Sequence, residues 1–325
     1  MKQALDFVKI HAGWDECIFI YQDQVTKGQE LRTSLSLLRK PSIRGIEVGI
    51  LSPPEGAGDI HVRIVDDTSQ GFIRMCGGLT QSIGKAIVET HIGKRLGIRI
   101  VEGKNRVILE TDAGLIPIEI EVKNGTVQKV VTEMSSYIAD CYGRGVGLVE
   151  VEGMTLVNVG INEEEKEFLV LDVDELTKRF PKINFWTRET ATLDTLEHIY
   201  RSFLDLHGMS LEFLYAVLYK LENRESKRTI RTVFRFFPWD YAPGDHLEYA
   251  CGTGTTALGI ALCERGQVDL SDGSENLLLT VGGKHLPEAT RVKTQLTLEG
   301  TKDRITGAWF SHDRIELVAS GKVYA

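Results

Sequence analysis

Met75-Cys76-Gly77-Gly78 and Ala250-Cys251-Gly252-Thr253-Gly254 are two versions of one short pattern. Each sets a cysteine before small residues and leads straight into an apolar run. After the first, Leu79, Ile83, Ala86 and Ile87 recur at helical spacing up to about Ile92, and Lys94-Arg95 follow where cations suit the helix dipole. After the second, Thr255-Thr-Ala-Leu-Gly-Ile-Ala-Leu-Cys263 continues without a breaker. One device, a thiol at the start of a helix, is therefore expected twice. Unpaired N–H groups and the dipole favour an anion there, which predicts a thiol acidic enough to act as a base near neutral pH. The glycines leave room for a ligand to approach the backbone. A carboxylate held between two such helix starts would have one thiol on each side of its α-carbon. That is the logic of two-base inversion, in which one thiolate removes the α-proton while the opposite thiol delivers one to the other face. The N–H groups would stabilise the charge developing on the carboxylate, in a site closed to water.

Outward from these helices the chain reads mostly as strands punctuated by Pro, Gly, Asp and Asn. Expected strands before residue 115 are Cys17–Tyr21, Gly45–Ile50, His61–Val65, Ile98–Val101 and Val107–Glu110. Beyond it come Ile116–Val122, Gly125–Val131, Gly147–Val151, Met154–Val159, Phe168–Val173, Thr232–Phe237, Leu277–Val281, Arg291–Leu298 and Ile315–Ala319, with Lys123-Asn124-Gly125 as a hairpin turn. Two apolar stripes, Leu193 to Leu204 and Leu211 to Leu221, predict a helical hairpin broken at His207-Gly208.

A length of 325 residues suits two domains. With 38 Lys+Arg against 46 Asp+Glu the formal charge is −8, which argues against nucleic acid as a partner. No run reaches the roughly 18 apolar residues of a membrane span, and no apolar leader follows Met1. The expectation is a cytoplasmic protein that does not bind membrane. The five cysteines are spaced for neither a disulfide framework nor a zinc site. Cys17, Cys141 and Cys263 read as small buried residues.

At the two thiol motifs the chain resembles the diaminopimelate epimerase and proline racemase superfamily. Four further matches follow in order. Phe7-x-Lys9…Asp15-Glu16 resembles its Phe-x-Lys…Asn-Asp opening, and Glu110-Thr-Asp-Ala-Gly114 its Thr-x-x-Gly segment between the halves. Phe180-Pro-Lys-Ile-Asn184 resembles its Phe-Pro…Asn stretch, and Val281-Gly-Gly-Lys-His-Leu286 a late Gly-Gly-x-Leu strand. The chain departs from diaminopimelate epimerases after the first cysteine, where Gly78-Leu79-Thr80-Gln81 replaces Asn-Gly-Ala-Arg. It departs again before the second, where 238–246 lacks their Glu-Arg pair. Those departures point away from diaminopimelate as substrate.

The resemblance implies an α/β fold of two pseudo-symmetric domains, each a curved mixed or antiparallel sheet wrapped around a central helix. The first is expected over 1–114 plus 313–325 and the second over 115–312, with a helical insert at about 190–228. Closure of the halves would bring Cys76 and Cys251 together. The implied activity is a cofactor-independent racemase or epimerase of an amino acid or related carboxylic acid. Cys76 and Cys251 would be catalytic, with Asp15, Gly77, Gly78, Asn162, Asn184, Gly252 and Thr253 around the substrate and no metal. Asp245 and His246 are weaker candidates. A small carboxylate is the expected partner, and a homodimer is admitted but not required.

Two other readings stand beside it. Related members isomerise unsaturated acids or dehydrate hydroxyprolines, often with one thiol missing, so keeping both favours racemisation. Residues 247–258 also resemble the glycine-rich loop of S-adenosylmethionine-dependent methyltransferases. Against that, 240–246 are too polar for the buried strand such a fold needs, and only 255–325 follow the loop.

Overall fold

The computed structural model describes residues 4–13, 15–67, 69–162, 168–187, 189–210, 214–224, 227–237, 251–281, 292–302 and 304–324. The chain divides into two compact units, Met1–Ser136 with Ser311–Ala325, and Tyr137–Phe310.

In the first unit the strands are β1 (Ala4–Ala12), β2 (Asp15–Tyr21), β3 (Glu47–Ser52), β4 (Ile60–Asp66), β5 (Gly71–Ile73), β6 (Gly103–Thr111), β7 (Gly114–Lys123), β8 (Thr126–Glu133) and the returning β17 (Ile315–Tyr324). The helices are α1 (Glu30–Leu38), α2 (Gly77–Glu89) and α3 (Ile92–Leu96). β17, β1 and β2 form an antiparallel run, and β2 lies parallel to β3 across the α1 crossover. β3 and β4 form a hairpin, and β4 lies parallel to β6 across the α2 crossover. β6, β7 and β8 then run antiparallel. Asn124 and Gly125, with φ of 54° and 71°, make the expected β7–β8 turn in the left-handed region. Helix α2 packs on β1, β2, β7, β8 and β17, so the sheet wraps it.

The second unit repeats this scheme. Its elements are α4 (Ser135–Arg144), β9 (Val146–Val151), β10 (Met154–Val159), β11 (Phe168–Asp172), α5 (Val173–Arg179), α6 (Thr190–His207), β12 (Leu214–Arg224), β13 (Lys227–Phe237), α7 (Gly252–Glu264), β14 (Ser274–Val281), β15 (Val292–Thr301) and β16 (Arg304–His312). β9, β10 and β11 run antiparallel, and β11 lies parallel to β12. β12 and β13 form a hairpin, β13 lies parallel to β14 across the α7 crossover, and β14 pairs antiparallel with β15. Helix α7 packs on β9, β10, β11, β12 and β15. Every residue from Thr255 to Cys263 is buried, which explains why this helix carries no polar stripe. The architecture is therefore the expected mixed α/β fold, a sheet around a central helix in each unit.

Several expectations need correction. The second arm of the supposed helical hairpin is strand β12. Gly208, with φ 64°, stops α6 in a left-handed cap. Ala216, Val217, Leu218 and Tyr219 are all fully buried, with sheet neighbours on both sides. A strand buried on both faces is a continuous apolar run, which periodicity alone confuses with a helix. Ile98–Val101 is not a strand but the link from α3 to β6. Glu110 to Gly114 does not join two halves. It is the β6–β7 hairpin inside the first unit, so β7 and β8 lie beyond the residue, 114, at which the sequence ended that half.

Candidate active site

Cys76 is the N-cap of α2, in extended conformation, and its sulfur accepts the Leu79 N–H at 3.3 Å. Cys251 is the N-cap of α7, and its sulfur accepts the Gly254 N–H at 3.3 Å. The Thr253 hydroxyl lies 3.3 Å from the Cys251 sulfur. Each thiol therefore takes up one of the unpaired donors of its helix start. Cys251 is 6% exposed and Cys76 is partly exposed.

The groups whose charge bears on Cys76 are Glu47, Asp15 and Cys17. Cys17 and Glu47 face each other across the β2–β3 register, with the Cys17 sulfur 3.8 Å from Glu47 Oε2. Asp15 and Glu47 are 7% and 6% exposed. A methyl group placed on Gly78 would meet Asp15 Oδ2 at 2.5 Å, so the missing side chain makes room for a carboxylate of the protein itself. Burial, then the Glu47 and Asp15 carboxylates, hold the Cys76 thiol well above its ordinary range. The same causes push Cys17 up. The helix start was expected to make Cys76 acidic; burial and the carboxylates act in the opposite direction.

In the first turn of α7 the backbone of Gly254 is enclosed by aromatic rings. A methyl on Gly254 would meet Phe234 Cδ1 at 2.6 Å and Phe168 Cε1 at 3.1 Å. Phe168 in turn packs on Tyr215, ring centroids 5.4 Å apart. Gly252 is buried and Thr253 partly so, both in the first turn of α7.

The structure thus gathers Asp15, Cys76, Gly77 and Gly78 at one helix start and Cys251, Gly252 and Thr253 at the other. Asn184 organises a turn of the second unit. Its Oδ1 accepts the Trp186 N–H at 3.2 Å and its carbonyl accepts three donors from Thr187 and Thr192, so it shapes its own turn. Asn162 ends the described segment after β10, partly buried. Asp245, His246 and the Val281 to Leu286 match beyond residue 281 lie outside the described residues.

Glu47 was missed in the sequence. Its one signal was a lone carboxylate inside the apolar run Gly45-Ile-Glu-Val-Gly-Ile-Leu51. The Phe7-x-Lys9 motif supports it at a distance. Lys9 Nζ donates to Glu16 at 2.6 Å and to the carbonyls of Ile43 and Arg44 at 2.7 and 2.6 Å, fixing the chain just before β3. Among the described residues no cluster of His, Cys, Asp and Glu could hold a metal, and no helix is long and apolar enough to cross a membrane.

No protein-family model matches the chain. A protein of Chromohalobacter salexigens, whose name states no activity, is 28% identical over 167 residues, 47% of this chain and 44% of its own length. The chain thus spans less than half of that relative. Solved structures match over far more. A hydroxyproline epimerase from Agrobacterium vitis, with trans-4-hydroxy-L-proline bound, aligns at TM-score 0.62 and 15% identity, over 100% of this chain and 94% of its own. A probable proline racemase from Agrobacterium radiobacter, with bound carbonate, aligns at 0.62 and 14%, over 98% and 92%. Methylitaconate-delta-isomerase aligns at 0.61 and 15%, over 99% and 96%. The chain shares the fold of these three proteins.

Proposed function

We propose that the chain is a cytoplasmic isomerase of a small carboxylic acid, a racemase or epimerase that inverts the α-carbon of an amino or imino acid without a cofactor. The observation that carries this reading is the repeated device. Two units of the same strand scheme each hold a buried helix N-capped by a cysteine sulfur, on a fold shared with a hydroxyproline epimerase. The reading requires both thiols to reach one carbon. The Cys251 thiolate takes the α-proton, the carbanion's charge spreads onto the carboxylate, and the Cys76 thiol gives its proton to the opposite face. The products are the inverted acid, a Cys251 thiol and a Cys76 thiolate, which solvent protons reset. The N–H groups of the first turns, at Gly77, Gly78, Gly252 and Thr253, are the proposed carboxylate contacts. Asp15 is the proposed partner of the substrate's amino or imino nitrogen, and Asn162 is kept as a further contact.

Isomerisation of an unsaturated acid is the second reading, favoured by the nearly equal likeness to methylitaconate isomerase. The test separates them. Cys76→Ser and Cys251→Ser should each lower inversion by on the order of a thousandfold. An unsaturated-acid isomerase would shift a double bond and invert nothing. Full inversion in either variant would end the two-thiol assignment.

A further inference from the structure

A threonine inside a helix commonly returns its hydroxyl to a backbone carbonyl about one turn back. Thr80 of α2 donates to the Gly77 carbonyl at 2.8 Å, and Thr256 of α7 donates to the Gly252 carbonyl at 2.9 Å. Thr253 stands earlier. It is the second residue of α7, so the residue one turn behind it precedes the helix. Its hydroxyl lies instead 3.3 Å from the Cys251 sulfur, within hydrogen-bond reach. The Gly254 N–H donates to the same sulfur at 3.3 Å. A hydroxyl and an N–H of one turn thus converge on Cys251 Sγ. At the other helix start the matching second residue is Gly78, where a methyl would meet Asp15 Oδ2 at 2.5 Å. That place has no room for a threonine, so α2 does not repeat the device.

We propose that Thr253 is a positioning residue whose hydroxyl donates to the Cys251 sulfur and holds it as the thiolate that takes the α-proton. The inference rests on the two-thiol reading above and deepens it, giving the Thr253 side chain a role apart from its backbone N–H. A hydrogen bond to the charged form of a thiol favours that form, and bonds to an anion are the stronger kind. The hydroxyl also suits the return step. The proton taken from the α-carbon ends on Sγ, while the hydroxyl keeps its own. Its oxygen can then accept the new S–H, since a hydroxyl both donates and accepts. The Gly254 N–H, a donor alone, cannot reverse in this way. The Thr253 contact can therefore fix the sulfur in both protonation states.

The test reads the sulfur itself and needs no substrate. The full chain, with its five cysteines isotope-labelled at Cβ, is titrated by NMR beside its Thr253→Val, Thr253→Ala and Thr253→Ser variants. The Cβ shift reports thiol or thiolate, and Cys76→Ser and Cys251→Ser assign the two signals. Valine keeps the shape of threonine without the hydroxyl, whereas serine keeps the hydroxyl. Thr253→Val should raise the Cys251 midpoint by about one pH unit, a roughly tenfold smaller share of thiolate below it. Thr253→Ala should do the same, and Thr253→Ser should stay near wild type. The Cys76 signal should hold in all three, reporting an intact fold. A Cys251 midpoint unchanged or lowered in Thr253→Val overturns the proposal, as does an equal rise in Thr253→Ser, which would trace the effect to shape. Thr253→Ala decides if Thr253→Val does not fold. Failure of the two-thiol reading would show separately, as wild-type protein that inverts no α-carbon while the Cys251 titration still follows the hydroxyl.

Discussion

At the residue scale the thiols decide the argument, because cysteine is a poor choice for the place it occupies. Ser, Thr, Asp and Asn are the good N-caps, and an apolar or weakly accepting residue there costs roughly 0.5–2 kcal/mol. Both helices nevertheless start with a sulfur that accepts an N–H at 3.3 Å. Cys76→Ser and Cys251→Ser should therefore keep wild-type stability to within about 1 kcal/mol, or gain a little, while losing inversion. Denaturant melts of the two variants check this, and a large loss of stability would mean that the sulfurs are structural. Gly78 supplies a second prediction. Gly78→Ala sets a methyl 2.5 Å from Asp15 Oδ2, so the carboxylate must move. We expect about 1–3 kcal/mol of destabilisation. Part of it should return in the Gly78→Ala, Asp15→Ala double variant, because the clash and its relief are one interaction. Additive losses in the cycle would show that the two do not meet. Asp15 was legible through the family resemblance at the chain's opening. Glu47 was not, because a lone glutamate inside an expected strand reads as a residue of the solvent-facing side. The Cys17–Glu47 register and the approach of the Cys17 sulfur to its carboxylate reveal its surroundings.

At the scale of elements, what was legible is what local chemistry controls. The two helix starts fell where read, at Gly77 and Gly252, because the cysteine and small residues preceding a long apolar run mark them. What was not legible depended on distant partners. Strand β1 was read only as a motif, because its interior Lys9 looks exposed until Glu16 and the 43–44 carbonyls are seen around it. Strand β12 was taken for a helix because, buried on both faces between β11 and β13, it is a continuous apolar run without alternation. Tight helix–sheet contact leads to a stability prediction. Gly259→Ala places a methyl 2.8 Å from Leu298 Cδ2 and 2.9 Å from Leu296 Cδ2, and Gly254→Ala places one against Phe234. Each should cost about 1–3 kcal/mol by overpacking α7 on its sheet, measured by urea unfolding. Near-neutral behaviour would mean that this core yields more readily than its packing indicates.

At the scale of the whole molecule, the chain's last strand closes its first unit. β17 pairs with β1 from Ala4↔Tyr324 to Ala12↔Ile315, although the entire second unit lies between them in sequence. Deleting 313–325 should therefore speed hydrogen exchange in β1 and α2 and leave α7 protected. Equal loss in α7 would contradict the division into units. Acid stability gives a second molecular property. Burial pushes the His312 imidazole down to about 3 from its ordinary 6.5. The unfolded chain takes up that proton below 6.5 while the folded protein does not, so stability falls as pH drops through this window, by up to about 1.4 kcal/mol per unit. Asp6 and Glu110, held below their ordinary 3.8 and 4.5 by hydrogen bonds from Gln24 and the Gly58 N–H, add losses only at lower pH. His312→Gln should flatten the decline above 4.5, as followed by urea melts; an unchanged slope would place its origin elsewhere.

Inversion of one carbon by two thiols must leave its mark in α-hydrogen exchange. Reduced protein, with Cys76→Ser and Cys251→Ser alongside, is incubated in D₂O with trans-4-hydroxy-L-proline and with pools of L- and D-amino acids. Mass spectrometry and chiral separation read the products. Deuterium uptake with inversion in wild type, lost in both variants, is the predicted result. Inversion that survives the loss of either thiol, or no uptake from any of these acids, would contradict it.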